Sequence, residues 1–369
     1  MIRVLHIIGS LGLGGAQVVL QRIVKHSNPN QFEHVVYPLR SGNQTVSIAT
    51  RVISNPYRNY DPRKFLDILR ICRENKIDVI HTHLHKDAVA GLFSTFFLDI
   101  PVVVHEHGSI LLPGFQYDLF RVLFRFLYRR AAAIIAVSNA AACRISNIVG
   151  RCPSMLSTIY NSIDLDEFKP NPEIRKQIRS NLHFTDEHIV IGFVGRMERL
   201  KGVDVLLDAM ISLMQMNPRY RAVFVGDGSL LASLQKRTHQ AGLDDAIRFL
   251  GFRTNVAEIL NAMDIGCMPS RFESFGLAAI EMMRMKIPLI CSRVDGLGEI
   301  AGNGSNALIL EQISPAEITS KIITLTQTPS LRQQLIDNAH AFTSQFSTDQ
   351  FIEKIESVYA RVLNTTSTH

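Results

Sequence analysis

Short apolar runs alternate with longer segments of helical period, and this alternation constrains the fold more than any other feature. In the first half the runs are Ile2–Ile8, His34–Leu39, Asp78–His81, Val102–His105, Ile134–Val137 and Leu156–Tyr160, with helical patterns such as Ala16–His26 and Pro62–Asn75 between them. A second set comprises Ile189–Val194, Ala222–Val225, Ile247–Phe249, Ile265–Met268 and Leu289–Cys291. After Ile189–Val194, the residues Val203, Leu206, Leu207, Met210, Ile211 and Met214 recur at the helical period. Strands that are apolar on both faces and separated by helices predict parallel sheets covered on both sides.

At 369 residues, with 46% hydrophobic and 20% charged residues, the chain can bury two such cores. The pattern breaks between Asn161 and His188, where Pro170-Asn171-Pro172 precedes a short, highly charged helix. The expected organisation is α/β: two doubly wound Rossmann-like domains, 1–165 and 166–345, facing an inter-domain cleft. Residues 346–369 then form a C-terminal helix packing back on the first domain, its amphipathic core at Thr348–Leu363.

The net charge of +6 suits an anionic ligand or surface. No ladder of basic and aromatic residues points to nucleic acid, so none is expected as a partner. Five scattered cysteines (Cys72, Cys143, Cys152, Cys267, Cys291) form no C-x-x-C pair, which argues against a disulfide framework or a zinc site and for a reducing compartment. The opening Met1–Ile8 reads as a strand rather than a signal peptide, because His6 and the glycines after it break the apolar run. The apolar run from Ala90 to Val104 is interrupted by Asp99 and Pro101, so no transmembrane helix is expected. A cytoplasmic protein is the reading, with a peripheral position on the inner face of the membrane as an extension of it.

Several motifs sit at predicted strand ends. Gly9–Gln17 is a glycine-rich turn entering a helix, where backbone amides can approach a phosphate. It fails as a dinucleotide fingerprint: Gln17 stands where the sixth-position glycine should be, and His34–Leu39 ends without the ribose-binding acid. Histidines cluster at His81-Thr82-His83-Leu84-His85 and at His105-Glu106-His107-Gly108. A metal there would need ligands on one face and a second shell, neither of which sequence establishes. His107 is the preferred functional histidine, and His105 is expected to point the other way. Arg121, Arg125, Arg129 and Arg130 form one basic stripe on a helix, with Leu119, Phe120, Phe124 and Leu127 nearby, a surface suited to anionic lipid headgroups. Asp164-Leu165-Asp166 matches a metal-binding D-x-D by letter but lies in a linker.

The densest stretch is Arg271–Glu281, a turn carrying Glu273 followed by an apolar helix. If the helix begins near Ser274, its N-terminus is an anion site and Glu281 lies about two turns further along the axis. Arg196 and Lys201 occupy another strand-to-helix loop, where two cations can converge on a diphosphate.

Gly195-Arg196, Lys201-Gly202, Gly226-Asp227-Gly228, Gly251-Phe252, Pro269-Ser270 and Glu273 to Glu281 stand in an order that resembles family 4 retaining glycosyltransferases of the GT-B fold. The resemblance extends over nearly the whole chain, including Gly14-Gly15. It implies that Arg196 and Lys201 bind the donor diphosphate, Glu281 the ribose, and Glu273 faces the donor sugar. It further implies that Ser274, Phe275, Gly276 and Leu277 offer amides to sugar and phosphate, while Gly251, Phe252 and Arg253 lie near the base. Gly14 and Gly15 would touch the diphosphate, and His107 the reacting centre. By the same resemblance the co-substrate is a nucleoside-diphosphate sugar, UDP- or GDP-linked, and no metal or other cofactor is needed. The acceptor would be a glycan or lipid-linked glycan in cell-surface polysaccharide or glycolipid synthesis.

The chain departs from the family at four places: Met282 replaces a small residue, Lys286 a glycine, Ser162 a glycine, and Asp295-Gly296 a glycine pair. Two other readings stay open on sequence. One is a nucleotide-sugar binding protein without catalysis, the other a sugar-nucleotide epimerase of the same architecture.

Overall fold

The computed structural model describes residues 1–12, 14–40, 47–57, 61–108, 115–150 and 155–366. The chain divides into two units, Met1–Ser162 with Thr348–His369, and Ile163–Ser347.

The first unit holds seven parallel strands: β1 (Ile2–Ile8), β2 (Phe32–Pro38), β3 (Arg51–Val52), β4 (Val79–His83), β5 (Val102–Glu106), β6 (Ala133–Ala136) and β7 (Leu156–Thr158). Their order is β3-β2-β1-β4-β5-β6-β7. Every residue of β4, β5 and β6 is buried, as strands covered on both faces require. The C-terminal helix Thr348–Thr366 packs on the helix Gly15–His26. From it Tyr359, fully buried, reaches His81 Nδ1 through its hydroxyl at 2.6 Å.

The second unit holds six parallel strands: β8 (Ile189–Val194), β9 (Tyr220–Val225), β10 (Ile247–Phe249), β11 (Ile265–Met268), β12 (Leu289–Ser292) and β13 (Leu308–Leu310). Their order, β10-β9-β8-β11-β12-β13, reverses between β8 and β11. The two sheets therefore agree with the expected doubly wound class. The helix Val203–Met216 buries Val203, Leu206, Leu207, Met210, Leu213 and Met214 in a core with Ile191, Phe193 and Phe224. Each such side chain contributes about 1.5–3 kcal/mol by leaving water.

The charged linker helix, Pro172–Asn181, is tied down by an arginine rather than by apolar packing. Arg179 is 1% exposed and donates from Nη2 to Asp264 Oδ2 (2.5 Å) and from Nε to the Ala262 carbonyl (3.1 Å). The same Asp264 oxygen accepts the Val190 N–H at 2.8 Å, so one carboxylate joins the helix to the entry of β8. Asn171 caps the helix N-terminus by accepting the N–H groups of Glu173 and Ile174, with Pro172 at the first turn. Asp164 is a turn residue: its Oδ1 accepts the N–H groups of Asp166 and Glu167, and Asp166 pairs with Lys169.

Candidate active site

The carboxyl ends of β8, β9, β10 and β11 are stitched into one edge. The Gly195 N–H donates to the Val225 carbonyl (2.9 Å), Met197 to Asp227 (2.9 Å), and Gly226 to Gly251 (2.8 Å). Across the reversal point, the Arg271 N–H donates to the Leu200 carbonyl at 2.8 Å. Gly202, at φ +66°, permits this approach: a Cβ there would lie 1.9 Å from the Pro269 carbonyl oxygen. The Arg271 guanidinium adds a two-pronged pair with Asp204 at 2.9 and 3.2 Å.

These contacts bring together Lys201 and Glu273, which are 72 residues apart in sequence, as an ion pair of 2.5 Å between Nζ and Oε2. Both side chains are 15% exposed. Arg196 lies on the same edge, exposed, as do Gly251, Phe252 and Arg253, of which the last two are exposed. In doubly wound sheets ligands bind beyond the strand carboxyl ends at the point where strand order reverses.

The helix after β11 begins later than expected. Gly276 adopts φ +104° and the helix runs Leu277–Arg284, so Ser274 and Phe275 belong to the preceding turn. Glu281 is then only four residues in, about 6 Å along the axis rather than two turns. The helix N-terminus carries no side-chain cap and no acid in its first turn, leaving its amide dipoles available to an anion.

Two family departures keep the backbone that glycine would take. Lys286 has φ +58° and Asp295 φ +45°, the left-handed region in which a side chain costs about 1–3 kcal/mol. Met282 is accommodated by Gly266: a Cβ on that glycine would lie 2.5 Å from the Met282 sulfur.

In the first unit the glycine loop after β1 is held from two sides. The Gly9 N–H donates to Asp87 Oδ2 (2.7 Å), and Gln17 Nε2 donates to the Ser10 carbonyl (2.9 Å). Gln17, which spoils the dinucleotide fingerprint, thus folds back to close the loop. Gly14 ends that loop in extended conformation at the N-terminus of the helix Gly15–His26. Asp87 is buried, and burial holds its carboxyl well above the ordinary range. Glu106, on β5, is likewise pushed by burial to about 7 while accepting the Tyr128 hydroxyl. Neither carboxylate stood out in sequence, because a lone acid at a helix start or strand end is common.

Beside them lies a seam of six histidines. His34 pairs in register with Val4, His6 with His81, and His83 with His105, so these rings share one face of the sheet. His105 and His107 have ring centroids 3.9 Å apart. The expectation that they point apart is therefore wrong: residues two apart on an extended strand face the same way. A chain of contacts runs His34 Nδ1 to His6 Nε2 (2.9 Å), His6 Nδ1 to His83 Nε2 (3.0 Å), and His83 Nδ1 to His107 Nε2 (3.0 Å). Burial drives His6, His81, His83 and His105 well below the usual imidazole value, His34 to about 4 and His107 to about 3. His107 is thus a neutral hydrogen-bonding group at pH 7.

On the helix Phe115–Tyr128, Arg125 is exposed, as are Arg129 and Arg130 just beyond it. Phe124 and Leu127 are buried, so the apolar neighbours of the basic stripe are instead Val122, Leu123 and Phe126. The side chains of Leu119, Phe120 and Arg121, like Cys152, lie outside the described residues.

Two all-parallel doubly wound sheets, the second with a cation–carboxylate pair and an open helix N-terminus where its strand order reverses, define the GT-B class of glycosyltransferase folds. The model for glycosyltransferase family 4 matches residues 13–167, and that for glycosyl transferases group 1 matches residues 174–342. Together they span most of the chain, which belongs to this family of glycosyltransferases. It is 26% identical over 355 residues to an uncharacterised glycosyltransferase of Methanocaldococcus jannaschii, covering 94% of each chain. It is 28% identical over 247 residues to the lipopolysaccharide core biosynthesis mannosyltransferase LpsB of Rhizobium meliloti, covering 65% of this chain and 68% of that one. The fold matches that of Anabaena HepE, solved in complex with UDP and glucose, with a TM-score of 0.85 over 98% of this chain and 100% of the other, at 24% identity.

Proposed function

We propose that this glycosyltransferase moves a sugar from a UDP- or GDP-sugar to a glycan or lipid-linked acceptor, with retention of anomeric configuration and without a metal. The observation that carries the reading is the Lys201–Glu273 pair set before the open N-terminus of Leu277–Arg284. Cleaving the anomeric C–O bond puts charge on the leaving diphosphate, and preorganised positive groups act most strongly there. Lys201 and Arg196 supply point and forked cations, and the helix amides supply the rest. Phe252 and Arg253 flank the base, and Glu281 takes the ribose hydroxyls.

Glu273 engages Lys201 directly, which favours orienting the cation and facing the sugar over attack as a nucleophile. A leaving-phosphate oxygen then takes the acceptor hydroxyl proton on the departing face, so configuration is kept with no covalent enzyme intermediate. His107 serves at the reacting centre as a neutral hydrogen-bond partner, and Gly14 and Gly15 contribute loop amides to the diphosphate. The naming of LpsB supports cell-surface glycans as the acceptor class, and the HepE complex supports a uridine donor. Proton NMR of donor turnover checks the stereochemistry, with simple alkyl glycosides or water as acceptor. The first-formed product carries the donor's anomeric configuration; an inverted anomer overturns retention.

A lipid-linked acceptor fits one face of the first unit. Phe93, Phe96, Phe97, Val122, Leu123 and Phe126 are exposed large apolar residues, with Phe97 at 55% and Val122 at 68%. Phe96 stacks on Phe126, and the Arg130 guanidinium sits 4.2 Å over the Phe96 ring. Among the described residues no helix is long and apolar enough to cross a membrane. This face is proposed to rest on anionic lipid at the cytoplasmic side. The chain should sediment with phosphatidylglycerol vesicles more than with phosphatidylcholine vesicles, and Phe97→Asp with Phe126→Asp should remove the difference. Equal sedimentation in both would remove the membrane from the account.

A further inference from the structure

We propose that His83, His105 and His107 form a binding site for a borderline divalent transition metal, with zinc, nickel and cobalt as its class of ligand. The site shares His107 with the transferase reading, which itself needs no metal. Each of the three offers a ring nitrogen, and these atoms all lie within 4.8 Å of one another. Zinc held by imidazoles at about 2.0–2.1 Å in a tetrahedron sets its ligand nitrogens about 3.3 Å apart. His83 Nδ1 and His107 Nε2, at 3.0 Å, already face each other at close to that spacing. Side-chain rotation brings in the third.

A second grouping, His6 with His81 and His83, meets the same distance test, but its nitrogens are committed. Both His6 nitrogens have imidazole partners, and His81 Nδ1 is taken by the Tyr359 hydroxyl. His105 is the opposite case: it is fully buried, and neither ring nitrogen finds a hydrogen-bond partner among the described residues. His107 Nδ1 is likewise without one. Buried polar atoms left this way cost about 1–3 kcal/mol each, and a metal ion bound through one nitrogen of His105 satisfies a lone pair there that no donor reaches.

An outer shell is also present. With His83 ligating through Nδ1, its Nε2–H donates to His6 Nδ1, and the His6 Nε2–H donates in turn to His34 Nδ1. Such a relay fixes the tautomer of a ligating histidine and raises its basicity. Imidazole ligands without thiolate or carboxylate select zinc, nickel, cobalt or copper over magnesium and calcium. Three protein ligands leave coordination open for water or an anionic oxygen, and His107 is the least buried of the three.

The test uses the full chain, freed of metal by chelator and then titrated with zinc in calorimetry. X-ray absorption is recorded on the sample holding one equivalent. One zinc per chain and a shell of three imidazoles are expected. His83→Asn and His105→Asn should each lose the site, while His239→Gln on the surface should keep it. Absence of stoichiometric zinc, or binding that persists in both seam variants, overturns the proposal. If the variants fail to fold, the wild-type absorption spectrum decides alone. A shell of one or two imidazoles means adventitious surface zinc and overturns the site.

Discussion

Replacing Lys201 by methionine should lower kcat/KM for sugar transfer by roughly a hundred- to a thousandfold, the loss typical of removing one preorganised charge-stabilising group from a transition state. A simple deletion is ambiguous, because Glu273 would be left 15% exposed without its cation. Unpaired charges of that kind destabilise proteins by several kcal/mol. The double variant Lys201→Met with Glu273→Gln removes both charges at near-constant volume. It should melt cooperatively near the wild-type temperature and still fail to turn over. Near-wild-type kcat/KM in the double variant would show that the pair is a structural clamp between two loops. Loss of activity together with loss of cooperative melting would send the test to Arg196, which is exposed.

Acidification should unfold the first unit before the second. The seam histidines are held neutral in the fold, His34 to about pH 4 and His107 to about pH 3, whereas an unfolded histidine protonates near 6.5. Between those values the unfolded chain binds more protons, so stability falls as pH drops through 6.5 and is intact above it. Each histidine that stays neutral in the fold costs about 2 kcal/mol between pH 6.5 and 5, at about 1.4 kcal/mol per pH unit. Glu106 and Asp87 act in the opposite sense: their raised folded values mean that the fold holds protons the unfolded chain has lost, so acidification relieves them. Six histidines outweigh two carboxylates. Calorimetry at pH 7, 6 and 5 should show one transition descending steeply while another moves less. Parallel transitions across that range would contradict the buried neutral seam.

What sequence disclosed follows from how far each cause reaches along the chain. The runs Ile2–Ile8 and Ile189–Val194 coincide with strands because both faces of a parallel sheet are buried, which leaves a local apolar signature. Arg51–Val52 and Leu308–Leu310 left no such signature, being two and three residues long. The helix starts three residues later than its apolar run suggests, because Gly276 takes the left-handed conformation just before it. The histidines were visible as H-x-H spacing, but their common face appeared only when strand register joined His6 to His81 and His83 to His105. Arg179 and Asp264, 85 residues apart, gave no local sign of their pairing. Lys201 and Glu273 are 72 residues apart, and only the resemblance to a family placed them together before the fold did.

The measurement that bears most directly on the central claim is a thermal-shift panel of UDP, GDP, ADP, CMP and NAD, with and without EDTA. A ligand that binds only the folded chain stabilises it by about 2.7 kcal/mol at a hundredfold excess over its Kd. The account predicts a shift with UDP or GDP that EDTA leaves unchanged and that the Lys201→Met, Glu273→Gln variant loses. A shift with NAD alone, or a nucleoside-diphosphate shift that EDTA abolishes, would contradict it.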